Sequence, residues 1–384
     1  MVMSQEKKKI LVLIDSNAII HRAYHALPKT MSTSKGELTN VIYGYTTTLV
    51  KVLEDLKPDY IAASFDISKA TFRVAEYAQY KAHRVKADQE LYDQIPRVRQ
   101  LLEVLNIPVY EMEGFEADDV IGTIAWRYSK ENPSNVISTS QSDEKSNVPG
   151  DLSPFLPSAN GGQEMGRDDK IEDVHVYIVT GDKDAFQLVD GNIEVYDLKR
   201  GLSEAQIINS TVIRTMWNLD PCDFIDLKAL AGDPSDNIPG VPHIGTKTAT
   251  DLLIKFDSLV KLYEILEQNF QFSIFNFQSI SSDPDFKTKC EKLEIKPRIV
   301  GLLIEHKDQA FLSQRLATIR KDVPIEFNLE NCRWGDYNKE KVVAFFKEMQ
   351  FHSLLRRFGI EPQEEMKTKE AKEQKDKDEQ LKLL

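Results

Sequence analysis

Three apolar stretches of the chain lead directly into acidic residues. The stretches cover 10–14, 60–65 and 176–180, and none of them alternates strictly between apolar and polar positions. The acids that follow them are Asp15, Asp66, Asp182 and Asp184. Unbroken apolar runs of this length predict strands that are buried on both faces, as in a parallel sheet covered by helices. Because ligands bind beyond the carboxyl ends of such strands, we expect these acids to collect at a binding site.

Helix-like stretches separate the predicted strands. Apolar positions near helical spacing predict a helix over 38–56, and a second helix is predicted over 95–105. A short strand over 107–110 and a helix over 120–130 follow. This alternating order predicts an α/β domain over 9–200, in which a mostly parallel central sheet is flanked by helices.

The remaining segments differ from this α/β pattern. The region 201–360 is predicted to form a second, helical domain. Many Ser, Pro, Gly and Asn residues with little apolar content predict a disordered insertion over 131–173. A second irregular stretch is expected over about 271–285. The tail 361–384 mixes Lys and Glu without an apolar stripe, which predicts a solvated helix or a frayed end.

Composition is that of an ordinary soluble protein. Hydrophobic residues make up 41% and charged residues 29% of the chain, and no apolar run is long enough to span a membrane. The N-terminal segment lacks the features of a signal peptide. Three widely spaced cysteines fit neither a disulfide framework nor a zinc site. We therefore expect a cytoplasmic protein that does not bind membranes.

The net charge of −12 disfavours nucleic acid as a ligand until its distribution is considered. The segment 131–173 carries −6, and the tail 361–384 carries −2. Nine acids that are candidates for a metal site carry a further −9, which leaves about +5 for the remainder of the chain. Because local charge decides phosphate binding better than the total charge does, DNA remains a candidate ligand.

Two further segments supply acids. The stretch 114–122 places three acids in the first turn of a predicted helix, and 231–240 places two in a turn. These acids are Glu116, Asp118, Asp119, Asp233 and Asp236. Each segment alone is ambiguous, because the helix dipole favours acids in a first turn and Asp is a common turn residue. Acids from five segments together favour two magnesium ions, with manganese as an alternative.

A glycine-containing segment and a basic segment are candidates for phosphate contact. Residues 240–249 open a predicted helix, where backbone N–H groups can bind phosphate. The string is similar to a helix-hairpin-helix element, although a plain packing element is an alternative. The basic segment 69–99 contains Tyr77, Tyr80 and His83, a mixture that suits phosphate contact and base stacking. Its alternative is the solvated face of a helix.

These motifs together resemble the 5′-nuclease domains of bacterial DNA polymerase I, which are relatives of flap endonucleases. The resemblance extends from about Ile10 to Ile360. One of the strings that carry it is Tyr-Lys-Ala-His-Arg at 80–84. The most specific strings are Glu-Ala-Asp-Asp-Val at 116–120, Thr-Gly-Asp-Lys-Asp at 180–184 and Gly-Asp-Pro-Ser-Asp-Asn-Ile-Pro-Gly-Val at 232–241. It implies a PIN-like 5′-nuclease core with a helical arch, followed by a C-terminal helix-hairpin-helix domain.

The resemblance also implies roles for individual residues. The first metal ion would be held by Asp15, Asp66, Glu116 and Asp118. The second would be held by Asp182, Asp184 and Asp236, with Asp119 and Asp233 acting through water. The groups implied to be catalytic are Lys81, Arg84, Asp118 and Asp182. The implied DNA-binding residues are Arg73, Lys81, Arg84, Gly240, Gly245, Thr246, Lys247 and Thr248.

The implied activity is that of a metal-dependent 5′-3′ exonuclease and flap endonuclease. Its substrates would be DNA with 5′ flaps, forks or nicks and RNA-primed DNA, in replication and repair. We expect a nucleoid-associated monomer, with a separate DNA polymerase as a candidate partner. Two alternatives are a different two-metal enzyme, such as a ribonuclease or phosphatase, and a non-catalytic DNA-binding part of a split DNA polymerase I.

Overall fold

The computed structural model describes most of the chain, namely residues 8–67, 70–84, 86–129, 174–199, 204–270 and 285–359. The predicted insertion at 131–173 and the predicted tail at 361–384 lie outside these residues. The irregular stretch predicted over 271–285 also lies outside them, apart from its last residue.

Six strands form one sheet in the order β3-β2-β1-β4-β5-β6. The strands are β1 (Lys9–Asp15), β2 (Tyr60–Ser64), β3 (Val109–Tyr110), β4 (Val174–Thr180), β5 (Ile193–Leu198) and β6 (Ala205–Ile208). All neighbours are parallel except β5 and β6. The predicted mostly parallel sheet is therefore confirmed. The strand order reverses beside β1, so the carboxyl ends of β2, β1 and β4 meet at one edge, where a ligand is expected.

Helices cover both faces of this sheet. The helices of the first half are α1 (Ser16–Ala26), α2 (Asn40–Leu56), α3 (Phe72–Glu76), α4 (Gln89–Tyr92), α5 (Ile95–Val104) and α6 (Ala117–Trp126). In β1, Val12 and Ile14 pack in one layer with α1, α2 and α5, whereas Leu11 and Leu13 pack in the other with α6. Burial on both faces explains why the strand sequences are apolar without alternation.

The second half of the described chain is mainly helical. Its helices are α7 (Ser210–Trp217), α8 (Asp223–Ala231), α9 (Thr246–Phe256), α10 (Leu259–Phe270), α11 (Phe286–Lys292), α12 (Pro297–Glu305), α13 (Lys307–Ala317), α14 (Lys339–Glu348) and α15 (His352–Arg357). Residues of α8 to α13 share a separate apolar cluster that includes Leu230, Leu253, Leu266 and Leu303. Among the described helices, none is both long and apolar enough to cross a membrane.

Contacts at both ends of the helical half bear on the predicted domain bounds of 201 and 360. Strand β6 pairs antiparallel with β5, so the division predicted at residue 200 would cut a hairpin of the sheet. At the other end, Val342, Phe346 and Leu354 of α14 and α15 pack in the core layer that contains Ile14. The sheet pairing and the packing favour a helical unit that begins near 219 and ends near 317.

Candidate functional site

A pocket of about 250 Å³ lies at the carboxyl ends of β1, β2 and β4. Six of the nine predicted metal ligands line it, namely Asp15, Asp66, Glu116, Asp118, Asp182 and Asp184. Asp119, Asp233 and Asp236 are not part of this lining. Lys81 and Arg84 are, so predicted catalytic cations and carboxylates face the same space.

The acids at the ends of β1 and β2 are held in place by neighbouring elements. Asp15 accepts hydrogen bonds from the backbone N–H of Ala18 at 3.0 Å and from the Thr180 hydroxyl at 2.8 Å. Its carboxylate therefore caps α1 and links β1 to β4. Asp66 accepts a hydrogen bond from the Ala117 N–H at 2.7 Å, which fixes it against the first turn of α6.

Three acids lie at the beginning of α6, with Glu116 at the N-cap and Asp118 and Asp119 in the first turn. Glu116 and Asp119 form a capping box, in which each side chain accepts from the other's backbone N–H. Asp118 lies between them and lines the pocket. Its Oδ1 atom is buried and has no hydrogen-bond partner within the described part of the chain. A buried carboxylate oxygen without a donor is costly unless a cation or another polar ligand satisfies it.

Arg73 and Asp119 form a buried ion pair behind the pocket. The two guanidinium Nη atoms donate to the two Asp119 oxygens at 2.7 and 2.8 Å, and Arg73 Nε donates to the Leu316 carbonyl. The Arg73 residue is only 1% exposed. The prediction that Arg73 contacts DNA phosphate is therefore wrong, because its donors are buried and already used. Asp119 is fully buried and also accepts from the Arg320 N–H, so we leave it out of the ligand set.

Three later residues of the basic segment, Tyr80, Lys81 and Arg84, also contact the acids. Lys81 Nζ lies 2.8 Å from Glu116 and 3.7 Å from Asp236, and Arg84 pairs with Asp236 as well. The buried Tyr80 hydroxyl lies 3.1 Å from a Glu116 oxygen and 3.2 Å from an Asp236 oxygen. The base-stacking role considered for Tyr80 is thus contradicted, since its ring is buried.

A second group of acids lies where the helical unit meets the sheet. Ligand atoms of Asp184, Asp233 and Asp236 all lie within 4.8 Å of one another. Lys228, on α8, pairs with Asp184 and donates to Asp233 at 2.6 Å. The structure thus brings the 3-10 helix after β4 (Lys183–Leu188) together with the turn after α8.

Burial makes several of these carboxyls reluctant to ionise. Desolvation, reinforced by the nearby charge of Asp66, raises the pKa of Asp15 to about 7. Desolvation and the neighbouring Asp182 likewise raise the pKa of Asp184 to about 7. Additional positive charge in the pocket would reverse both effects. An all-oxygen ligand set with a buried, unpartnered oxygen on Asp118 fits hard divalent cations such as magnesium or manganese.

The raised pKa of Asp15 gives a testable pH dependence. In chelator, folded Asp15 keeps a proton up to about pH 7, whereas the unfolded chain loses it near its ordinary pKa of 3.8. The group should therefore lower the free energy of unfolding by roughly 1 kcal/mol per pH unit as the pH rises across that window. Denaturant unfolding of the wild type and Asp15→Asn should show a shallower pH slope for the variant; equal slopes would contradict the assignment.

The predicted phosphate-binding segment divides into a buried and an exposed part. Gly240 is buried with φ +59°, and its N–H donates to the Ser313 hydroxyl at 3.0 Å. A Cβ there would lie 2.1 Å from the Gly232 nitrogen. The prediction that Gly240 binds DNA is therefore wrong, because its role is close packing between α8 and α13. Three other predicted residues are exposed at the beginning of α9, namely Gly245, Thr246 and Lys247, and Thr248 is half-buried.

Several residues of the site were not predicted from sequence. Lys228 and Thr180 contact the acids directly, and Asn17 and His21 line the pocket. Thr180 is the first residue of the string Thr-Gly-Asp-Lys-Asp at 180–184, so its position was a usable signal. The sequence around Lys228 gave no signal of a site residue, because a lysine on a predicted helix is usually solvated.

Comparison with known proteins agrees with this architecture. A family model described as the N-terminal resolvase-like domain of 5′-3′ exonucleases matches residues 10–149. A second model, described as the C-terminal SAM fold of 5′-3′ exonucleases, matches residues 219–340.

Curated relatives include two bacterial DNA polymerases I. The enzyme of Bacillus subtilis is 36% identical over 354 residues, which cover 92% of this chain and 32% of the relative. The enzyme of Bacillus caldotenax is 33% identical over 360 residues, which cover 94% of this chain and 33% of the relative. The chain thus spans about a third of the length of these relatives.

Solved structures support the fold. Bacteriophage T5 5′-exonuclease with bound zinc superposes with a TM-score of 0.52 at 15% identity, covering 89% of this chain and 98% of that one. The T5 flap endonuclease, in a pseudo-enzyme–product complex with DNA and metal ions, gives a TM-score of 0.53 at 16% identity, with the same coverage. The two family models, which match one after the other along the chain, show that the chain belongs to the 5′-3′ exonuclease family.

Proposed function

We propose that this chain hydrolyses DNA phosphodiester bonds at 5′ ends, 5′ flaps and nicks with the help of two divalent cations, magnesium by preference. The observation that carries the proposal is the convergence of acids from four separate segments in one pocket that Lys81 and Arg84 also line. Acids alone would suit many metal enzymes. Cations on the same pocket add the means to bind the phosphate that is to be cut.

The acids divide into two ligand groups. The first consists of Asp15, Asp66, Glu116 and Asp118. The second consists of Asp182, Asp184, Asp233 and Asp236, of which three have ligand atoms within 4.8 Å of one another. When bound, divalent cations supply the Lewis acidity that activates water and stabilises the leaving oxygen. The protein fixes the ligands through the α1 cap, the capping box of α6 and the contacts of Tyr80.

Lys81 and Arg84 are proposed to bind and orient the reacting phosphate. Both lie on the segment between α3 and α4. Lys81 pairs with Glu116 of the pocket, and the half-exposed Arg84 pairs with Asp236. Lys81 adopts φ +53°, a backbone conformation that residues other than glycine rarely take, and its ammonium group donates to Glu116 at 2.8 Å. Two cations at hydrogen-bonding reach of the phosphate oxygens would stabilise the negative charge that develops on them.

The shape of the site favours unpaired ends over continuous duplex. A pocket of about 250 Å³ is too small for a DNA duplex, so the reacting strand must separate from its partner to reach the acids. Contacts to the phosphates and to the shape of the DNA would read no base sequence. We therefore propose 5′-flap, forked, nicked and RNA-primed DNA as substrates, and a monomer that acts in the cytoplasm at the nucleoid beside a DNA polymerase.

The direct test uses a 5′-flap duplex labelled at the 3′ end of the flap strand. With magnesium, we expect cutting near the flap junction and a downstream product that carries a 5′ phosphate. A matched RNA flap serves as a control, because preference for RNA would favour a ribonuclease. Binding without cutting, in magnesium and in manganese alike, would contradict the proposal and favour the non-catalytic DNA-binding alternative.

The exposed start of α9 is proposed to hold the duplex backbone. Lys247→Ala should weaken flap-duplex binding about threefold to tenfold at low salt, because one phosphate contact is lost. The slope of log affinity against log salt should fall by about 1. Fluorescence anisotropy in chelator measures both quantities without cleavage. The control is Lys341→Ala, an exposed lysine of α14; equal losses in the two variants would refute a specific role for Lys247.

A further inference from the structure

Lys228 is a mostly buried cation between two proposed metal ligands. Its side chain is 17% exposed, and those of Asp184 and Asp233 are 12% and 14% exposed. The ammonium group pairs with Asp184 and lies 2.6 Å from an Asp233 oxygen. A buried lysine is rarely found without such partners, since its charge must be compensated away from water.

The acids around Lys228 need a positive charge at this position. Asp184, Asp233 and Asp236 crowd their oxygens within 4.8 Å, and like charges at that distance repel strongly. Asp184 belongs to the 3-10 helix after β4, whereas Asp233 follows α8. Repulsion would therefore push the helical unit away from the sheet, and Lys228 counteracts it by bridging the two elements.

We propose that Lys228 is a displaceable internal cation, which neutralises the second ligand group before a divalent ion binds and releases carboxylate oxygens to that ion. The inference rests on the proposed function, because it requires that Asp184 and Asp233 are metal ligands. Lys228 is thus a positioning residue that keeps the ligands assembled in the metal-free protein. Lys228 also competes with the divalent ion and therefore lowers the affinity of the site for metal. Its other effect is that the ligands are already assembled before the ion binds.

The alternative role for Lys228 is a permanent bridge that supports the ligands in both the metal-free and the metal-bound protein. The two roles differ in the sign of one effect. If Lys228 competes with the ion, its neutral replacement should bind metal more tightly. If it only supports the ligands, the replacement should bind metal more weakly.

The test compares wild type, Lys228→Met and the control Lys51→Met by electron paramagnetic resonance of free Mn²⁺ during titration. Methionine has a similar length without the charge. Lys51 is a matched control, because it pairs with Asp55 at 2.8 Å and is 25% exposed on the remote helix α2. We expect a dissociation constant about tenfold lower in Lys228→Met, since an adjacent competing charge has been removed.

Thermal unfolding supplies an independent measurement. In chelator, the melting temperature of Lys228→Met should fall by about 5 °C, because two partly buried carboxylates lose their partner. Added Mn²⁺ should stabilise this variant more than the wild type. Lys51→Met should match the wild type in both experiments. Unchanged or weaker Mn²⁺ binding by Lys228→Met would overturn the inference.

The possible failures can be separated. A wild type that binds no Mn²⁺ would refute the proposed function and this inference together, whereas normal binding with an unaffected variant would refute the inference alone. If Lys228→Met does not fold, the rate of reductive methylation of Lys228 in the wild type, mapped by mass spectrometry, tests the inference instead. Lys228 should then react faster with Mn²⁺ than in chelator, relative to Lys51, and an unchanged rate would overturn the inference.

Discussion

Asp118→Asn is expected to lower single-turnover cleavage of a 5′-flap duplex by about three orders of magnitude while leaving flap binding in chelator unchanged. Asp118 lines the pocket, and its Oδ1 is buried without a hydrogen-bond partner in the described chain. Asparagine has nearly the same shape but lacks the negative charge. Loss of one ligand charge should cost several kcal/mol of transition-state stabilisation, which corresponds to a rate loss of this size.

The Asp118→Asn experiment needs two controls. Asp336→Asn changes an exposed carboxylate outside the pocket and should cleave like the wild type. Melting temperatures in chelator should show that Asp118→Asn is folded, and a small increase is expected because a buried negative charge disappears. A variant that binds flaps and cuts them at the wild-type rate would exclude Asp118 from the site.

Arg73→Met should produce the largest loss of stability among single changes around the pocket. It leaves the fully buried Asp119 carboxylate without the guanidinium that now donates to both of its oxygens. Removing one partner of a buried ion pair costs about 3–5 kcal/mol of unfolding free energy. Burial lowers the pKa of Arg73, but the carboxylates of Asp118 and Asp119 raise it by more, so the guanidinium is charged. Its removal therefore takes a full positive charge away from these carboxylates.

Denaturant unfolding of Arg73→Met tests this structural role. Arg214→Met serves as the control, because Arg214 pairs with Asp220 on the surface and should contribute less than about 1 kcal/mol. The double variant Arg73→Met, Asp119→Asn should recover part of the loss, since the uncompensated charge is gone. If Arg73→Met kept wild-type stability and bound DNA more weakly, the phosphate contact expected from sequence would have been right.

The sheet was predictable because its strands carry a strong local signal. The strand predicted at 176–180 is observed as Val174–Thr180, and the helix predicted over 38–56 is observed as Asn40–Leu56. Strand β6 was missed because four residues at a sheet edge bury only part of their surface. Strand β5, its partner in the hairpin, was not predicted either, so the sequence offered no strand for β6 to pair with.

The acids of the site were easier to predict than the cations. Strand ends place Asp15, Asp66 and Asp182 in one pocket as expected, because parallel strands bring their carboxyl ends together. The position of an Arg or Lys in the sequence does not show which carboxylate it pairs with in the fold. Arg73 and Lys228 look like surface residues in the sequence, yet the fold buries both against carboxylates that are far away in the chain. Gly240 was misread for the same reason, since its N–H is used by Ser313.

The most direct test of the account is single-turnover cleavage of a 5′-flap duplex as magnesium is titrated into enzyme held in chelator, with wild type and Asp118→Asn in parallel. The account predicts no cleavage by the wild type in chelator, a rise to a plateau with magnesium, and a nearly flat response from the variant. Cleavage by the wild type in chelator, or equal magnesium curves for the two proteins, would contradict the claim that these carboxylates form a metal-dependent nuclease centre.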